Sequence, residues 1–419
     1  MLFYHYIAGL KRAGFRILNL LLLQPDNSSE AALAEYADKL VQPGTFEILP
    51  CRADRFIVSG RCSSRLNTAP LEEALRQAEV FQPDAVFCLD LLSAWVAGRV
   101  SSGAKLTWLG DLNFQTVWYR AWYAMQEHPV RAIDLPSAWL HCRAWKAIYK
   151  QVLRTMDAVI VSSHSSQEHL RRLGIAATYA PYPWPAQPSA DEGSPEPRPT
   201  KPTFLFFGTL PALGSRSAFH FMVRALYPRL RRAWGRQGFQ VLIAGTLGLP
   251  AWVDKALIQR PEFRYLGFVG DLDRVMASCH AVLAPIEVPV GNRTRIVTAM
   301  AKGVPVIAHR SAALGNPDLV NGVTCYLATD AERFVECMRR AVDRPDEVER
   351  IVANARERYH ARFHPAIATD VVVHALASII NQKRACASQD GAASVESLGR
   401  AQAQLMTSGH RAALRSSSS

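Results

Sequence analysis

The chain reads as an α/β protein of two doubly wound domains, and three observations predict this. Short runs rich in Val, Ile, Leu and Phe recur along its 419 residues, each followed by a helical pattern. Continuous apolar strands between amphipathic helices indicate parallel sheets covered on both faces. The rhythm breaks at a proline-rich stretch and then restarts. The length also suits two or three domains at roughly 150 residues each.

The first element is a helical stripe of Phe3, Tyr6, Ile7 and Leu10 ending at Gly14. Strand-like runs follow at Ile17–Leu23, Ala85–Leu89, Lys105–Leu109 and Ala158–Ser162, giving a first domain over 1–180. Doubly wound domains normally open on a strand, so an opening strand and its loop are expected to be missing here. Between Pro185 and Pro202 six of eighteen residues are proline, and 181–202 reads as an extended linker. Strands resume at Thr203–Phe207, Gln240–Ala244, Phe263–Leu266, Ala281–Ala284 and Val304–Ala308, a second domain over 203–355. Residues 356–382 read as a helix returning toward the first domain. The tail, 383–419, is poor in aromatic and β-branched residues and is expected to be disordered.

Hydrophobic residues are 49% and charged residues 20%, which excludes collagen-like, wholly disordered and disulfide-scaffold classes. The formal charge of +12 suits a phosphate-bearing substrate, an anionic membrane surface or nucleic acid, and does not choose among them. Eight scattered cysteines show no CxxC pair and no Cys/His spacing for zinc, as expected of reduced thiols. The longest dense apolar run, Ile17–Leu23, falls far short of the ~20 residues of a membrane-spanning helix. Lys11 and Arg12 follow the first apolar residues, the wrong order for a cleaved signal. A cytoplasmic protein is expected, either free or peripheral at the inner face of the plasma membrane.

Ligands of doubly wound sheets bind beyond the carboxyl ends of the strands. No GxGxxG and no Walker A lysine motif occurs. The richest stretch is Ala281–His309, where a strand leads into a loop carrying Gly291, Asn292, Arg293 and Arg295 at a helix start. Amides at a helix start approach anions, and two guanidiniums can neutralise a diphosphate. Alternatively, the arginines solvate the helix end.

Taken together, "FFGTL" (206–210), "VLIAG" (241–245), "FRYLGFVGDLDRVMASCHAVLAP" (263–285), "GNRTRIVTAMAKGVPVIAH" (291–309) and "NGVTCYLATDAERFVECM" (321–338) resemble the donor domain of the family 4 glycosyltransferases, glycosyl transferases group 1. The resemblance spans about 203–345 and implies the GT-B fold, two Rossmann-like domains facing across a cleft. It implies that the second domain binds a nucleoside diphosphate sugar. The backbone at Gly267 and Phe268 would face the base, and Gly291 with Asn292 the diphosphate. Arg295 stands where the family usually has a diphosphate-binding lysine, and Arg293 where members with "GTRLK" have arginine. Arg216, after "FFGTL", is a further phosphate candidate or an exposed helix residue. Two glutamates frequent in the family correspond here to Val290 and Thr298. Thr298 could offer the ribose only a single neutral hydrogen bond. Glu287 is three residues out of register and takes no role.

In the first domain, "DAVIVSSHSSQEHLRRLGI" and "APYPW" are similar to the last strand, helix and crossing of these enzymes. Asp111, in "KLTWLGDLNF", follows a strand end and is either an acceptor-side catalytic carboxylate or a cap. His164, in "SSHSS", is a second catalytic candidate or a capping residue, and His128 a third. Four tryptophans (118, 122, 139, 145) interleave with Arg120, Arg131, Arg143, Lys146 and Lys150, a pattern suited to an anionic headgroup zone or to core packing.

The expected activity is sugar transfer from a nucleotide sugar to an acceptor hydroxyl, in surface polysaccharide, lipopolysaccharide or glycolipid assembly, with anomeric configuration retained by resemblance. The expected partners are that donor, a sugar or lipid-linked acceptor and an anionic membrane surface, with no nucleic acid, metal or cofactor. The alternative is a non-catalytic GT-B scaffold.

Overall fold

The structure is a computed structural model and describes residues 2–23, 46–52, 72–184, 199–245, 248–291, 293–386 and 388. Asn292, most of the proline-rich linker and nearly all of the tail lie outside the described residues.

The second domain holds β7 (Thr203–Phe207), β8 (Gln240–Ala244), β9 (Phe263–Gly267), β10 (Ala281–Ala284), β11 (Val306–His309) and β12 (Tyr326–Ala328). They form one parallel sheet in the order β12-β11-β10-β7-β8-β9. The chain enters in the middle at β7, winds out to β9, then returns to the other side of β7 and winds out to β12. Alternate residues of the central strands bury on opposite faces. Phe204, Phe206, Val241, Ile243 and Leu283 pack under Phe219, Leu230 and Phe334. Leu205, Val282 and Ala284 pack under Met276, Ile296 and Met300. This two-sided burial is why these strands read as unbroken apolar runs. Truncating a fully buried ring such as Phe204 would cost ~3–5 kcal/mol.

The first domain has β3 (Ala85–Leu89), β4 (Ala104–Leu109), β5 (Ala158–Val161) and β6 (Thr178–Tyr179) in a parallel sheet of that order. β1 (Ile17–Leu23) pairs in parallel with β2 (Phe46–Arg52) in a separate two-stranded sheet. Between β1 and β3 lies a cavity of about 1130 Å³ lined by Leu18, Leu20, Phe87 and Leu89. The first described element is the helix Leu2–Arg12, whose Tyr6 and Leu10 pack on Leu106, Trp108 and Ile160. Among the described residues no strand bridges β1 and β3.

Two chain segments cross between the domains side by side. In Ala180–Trp184, Trp184 N donates to Phe363 O at 2.9 Å, and Tyr359 Oη donates to Trp184 O at 2.7 Å. The helix Pro345–Arg362 buries Ala355 and Tyr359 on the second domain, whereas Val372, Leu376, Ile379 and Ile380 of the following helical segment bury against the first sheet. By length and composition the helical stretch 345–386 passes as a membrane span, contrary to the sequence expectation that no segment is long enough, but its apolar face has this protein partner.

β2, β6 and β12 are absent from the sequence expectations. β2 contains Pro50, which a pattern search scores against a strand and which an edge strand tolerates. β6 and β12 are only two and three residues long.

Candidate functional site

In the second sheet the strand order reverses between β7 and β10, and such a switch point opens a crevice beyond the carboxyl ends. The loops flanking it are Gly208–Ala212, leading to the helix Leu213–Phe221, and Pro285–Arg293, leading to the helix Thr294–Lys302. Arg293 at the end of the second loop and Arg295 in the first turn of the helix after it both reach toward the first loop and its helix.

Arg295 Nη2 donates to Ser215 Oγ at 2.6 Å, and its guanidinium lies 4.8 Å from the centre of the Phe206 ring. Gly208 makes this possible. A Cβ on it would stand 2.5 Å from Arg295 Nη2, and its φ of +137° is open to glycine. Arg293 Nη2 donates to Val288 O, and Arg293 Nη1 lies 3.1 Å from where Gly214 would carry a Cβ. Arg293 Nε and Arg295 Nη1 are buried and have no hydrogen-bond partner among the described residues. Among the described residues neither arginine has a carboxylate within ion-pair distance. Burial lowers the pKa of both, with Asp111 and Tyr182 opposing the fall at Arg293; that of Arg295 comes down to about 9, Arg293 adding to the effect, so Arg295 stays charged near neutral pH. Buried charged donors without acceptors are costly, and the helix Thr294–Lys302 adds its positive end to the same place. Such an arrangement can take an anion.

The first domain meets this loop. A Cβ on Gly291 would overlap the Asp111 carboxylate, and one on Gly315 would overlap the Gly291 carbonyl and approach the Ser163 Cβ at 3.8 Å. Asp111 itself is accessible, a carboxylate at the wall of a crevice. The surrounding protein raises its pKa, and Arg293 opposes that rise. Tyr182, buried on the crossing segment, feels both Asp111 and Arg293. Asp111, Gly291, Arg293 and Tyr182 thus come together from both domains and the crossing between them. Tyr182 went unnoticed in the sequence because "APYPW" offers no chemical signal.

His164 begins the helix His164–Arg172, exposed, with its ring edge-on to Tyr179 at 6.2 Å; Ser163, not His164, caps the helix. Asp90 was also missed. It follows β3, caps the helix Leu91–Ala97 through Ser93 N at 2.9 Å, and has φ 88°, a strained value for a non-glycine residue.

Two expected ligands have other partners. Arg216 is not free for a phosphate: it forms a paired contact with Glu127 of the first domain, Nε–Oε1 3.0 Å and Nη2–Oε2 2.6 Å. His220 reaches the same carboxylate at 3.1 Å. Glu127 is a nearly buried acid whose partner lies 89 residues away, beyond the range of sequence pattern. The Thr298 hydroxyl is engaged within the chain: it accepts from Trp184 Nε1 at 2.8 Å and donates to Thr294 O at 2.9 Å. Gly267, with φ +70°, ends β9, and Phe268 beyond it is 66% exposed. Asn292 lies outside the described residues. Among the described residues no three His, Cys, Asp or Glu side chains gather as a metal site.

The chain is similar to known proteins in part of its sequence and in its fold. Residues 201–344 match the glycosyl transferases group 1 family. That segment is the second sheet with its helices, which carries both arginines. HepE of Anabaena in complex with UDP-glucose is similar in structure at 14% identity, with a TM-score of 0.59 over 89% of this chain and 94% of that one. A glycosyltransferase from Rickettsia africae is similar at 14% identity and a TM-score of 0.62, over 90% and 94%. Sucrose-phosphate synthase from Thermosynechococcus elongatus is similar at 16% identity and 0.61, over 90% and 92%. The fold is GT-B. No curated protein matches the chain by sequence.

Proposed function

We propose that this protein is a glycosyltransferase that moves a sugar from a nucleoside diphosphate sugar to an acceptor hydroxyl. The observation that carries this reading is the pair of guanidiniums at the switch point with buried, unmet N–H groups and no carboxylate partner. The group 1 match over 201–344 and the UDP and UDP-glucose held by the Anabaena HepE structures agree with it.

The barrier lies in breaking the bond between the anomeric carbon and the diphosphate oxygen while negative charge gathers on the leaving group. Arg293, Arg295 and the helix end beside Gly291 stand ready to stabilise that charge without reorganising. The acceptor oxygen bonds the anomeric carbon on the face from which the diphosphate departs, and its proton passes to an oxygen of that diphosphate, so configuration is retained without a strong protein base. Asp111, across the crevice, orients the acceptor hydroxyl. Charge compensation rests on guanidiniums rather than a metal, the acceptor is a sugar or lipid-linked sugar of surface polysaccharide, lipopolysaccharide or glycolipid assembly, and the work is done in the cytoplasm.

The test is thermal shift with UDP, GDP and ADP followed by transfer from the corresponding labelled nucleotide sugars to a membrane extract. Stabilisation by one diphosphate and transfer lost in Arg293→Ala/Arg295→Ala are expected; transfer that survives both substitutions overturns the reading. The engagement of Thr298 by Trp184 favours a second reading, a GT-B scaffold that binds without turnover. A diphosphate that stabilises the chain while no donor is consumed selects it.

A further inference from the structure

The helices Asn113–Glu127 and Leu135–Leu153 form a hairpin closed by the 3-10 turn Pro129–Asp134. Val130 and Ile133 on that turn are 83% and 82% exposed, the most exposed large apolar side chains among the described residues. Trp139 and Leu140 follow on the next turn of chain, half exposed. Arg143 lies over the Trp139 ring at 4.9 Å, holding a cation beside the apolar tip. Arg120, Arg131, Lys146 and Lys150 are exposed along the same hairpin. Its two acids are already engaged, Asp134 by Arg131 at 2.7 Å and Glu127 by Arg216 at 2.6 Å. Apolar groups at a tip, an indole and uncompensated cations around them are the chemistry that enters the headgroup layer of an anionic bilayer.

We propose that this hairpin tip docks the protein on an anionic lipid surface, with Val130, Ile133, Trp139 and Leu140 inserted, Arg143 on the lipid phosphates, and Arg120, Lys146 and Lys150 further back along the hairpin adding to the attraction. Part of the aromatic cluster is core after all: Trp118 and Trp145 pack partly buried against the first sheet's core. The division follows the hairpin, with the inner rings packed and the tip left uncovered. The helix Asn113–Glu127 starts two residues after Asp111 and ends at the Glu127–Arg216 contact, so the docked hairpin runs along the crevice. Docking stands without the donor reading. Its use, delivering a lipid-linked acceptor to Asp111, rests on that reading.

The test is co-sedimentation of the full chain with phosphatidylcholine vesicles with and without phosphatidylglycerol. Tryptophan emission is followed and UDP thermal shift is measured in parallel. Expected are binding only to the anionic vesicles, a blue shift, weakening by salt, and a loss of roughly tenfold or more in Val130→Asp/Ile133→Asp and in Arg143→Gln/Lys146→Gln with Tm unchanged. Equal binding to both vesicles, none to either, or undiminished binding of both double variants overturns the proposal. So does a fall in the lipid-free sedimenting mass of Val130→Asp/Ile133→Asp, which would make the tip a self-association face. Vesicle binding without any response to a nucleoside diphosphate leaves docking standing and removes the transfer reading.

Discussion

Gly291 of the second domain lies against Asp111 of the first so closely that a Cβ on Gly291 would overlap one carboxylate oxygen and stand 2.9 Å from the other. With φ +71°, Gly291 also occupies a region that L side chains rarely adopt. Gly291→Ala should therefore lose ~1–3 kcal/mol of stability and at least roughly tenfold in transfer rate. Adding Asp111→Ala removes the overlap and should restore part of the Tm without restoring turnover, a non-additive result that a double-mutant cycle reads directly. Additive losses would mean the two residues are not in contact.

Asp111, an exposed residue whose carboxylate packs against Gly291, carries a pKa raised by desolvation of that carboxylate and held back by Arg293. A raised carboxylate is charged only above its elevated pKa, so transfer that needs the carboxylate falls as pH drops through that value. Arg293→Met should move the acid limb of the pH–rate profile upward, because the opposing cation is gone. An acid limb that stays in place in this variant assigns it to another group.

Arg295 should set the alkaline limit of diphosphate binding. Its pKa is lowered to about 9, and a bound anion favours the charged form, so affinity weakens as pH rises through about 9 and binding takes up protons there. Titration calorimetry in buffers of different ionisation enthalpy measures this uptake. Arg295→Lys should keep the charge but lose the Ser215 and Phe206 geometry, and bind roughly tenfold more weakly.

The Arg216–Glu127 contact should matter for joining the domains rather than for holding phosphate. Glu127→Ala leaves Arg216 and His220 without their carboxylate and should lower stability by ~1–2 kcal/mol, the partly exposed arginine limiting the loss. Diphosphate affinity of the remaining folded protein should be unchanged. Arg216→Ala that abolishes the UDP thermal shift at unaltered Tm would return Arg216 to the phosphate site.

Thr298→Val deletes the acceptor for Trp184 Nε1 and should cost ~1–2 kcal/mol, measured by chemical denaturation, with nucleotide affinity intact. Weaker nucleotide binding instead would give Thr298 a ribose contact.

The order of strands and helices and the two-domain plan were legible in the sequence, because burial on both faces of a parallel sheet leaves unbroken apolar runs such as Phe204–Phe207 and Val282–Ala284. The helix start beside Gly291 and its two arginines were legible for a similar reason: the chemistry is local, within a few residues of one strand end. Pro50 hid β2, and shortness hid β6 and β12. Pairings across the domain interface left no trace in the linear pattern. Whether Arg216 faces a phosphate or Glu127, and whether Thr298 faces a ribose or Trp184, depends on residues brought together from distant parts of the chain. Only the tertiary structure decides such contacts, since a side chain's partner is set by packing between elements and not by its neighbours in sequence. The same reason left open which of the aromatic residues between 114 and 149 were core: the hairpin buries Trp118 and Trp145 partly and leaves Trp122 and Trp139 to the solvent.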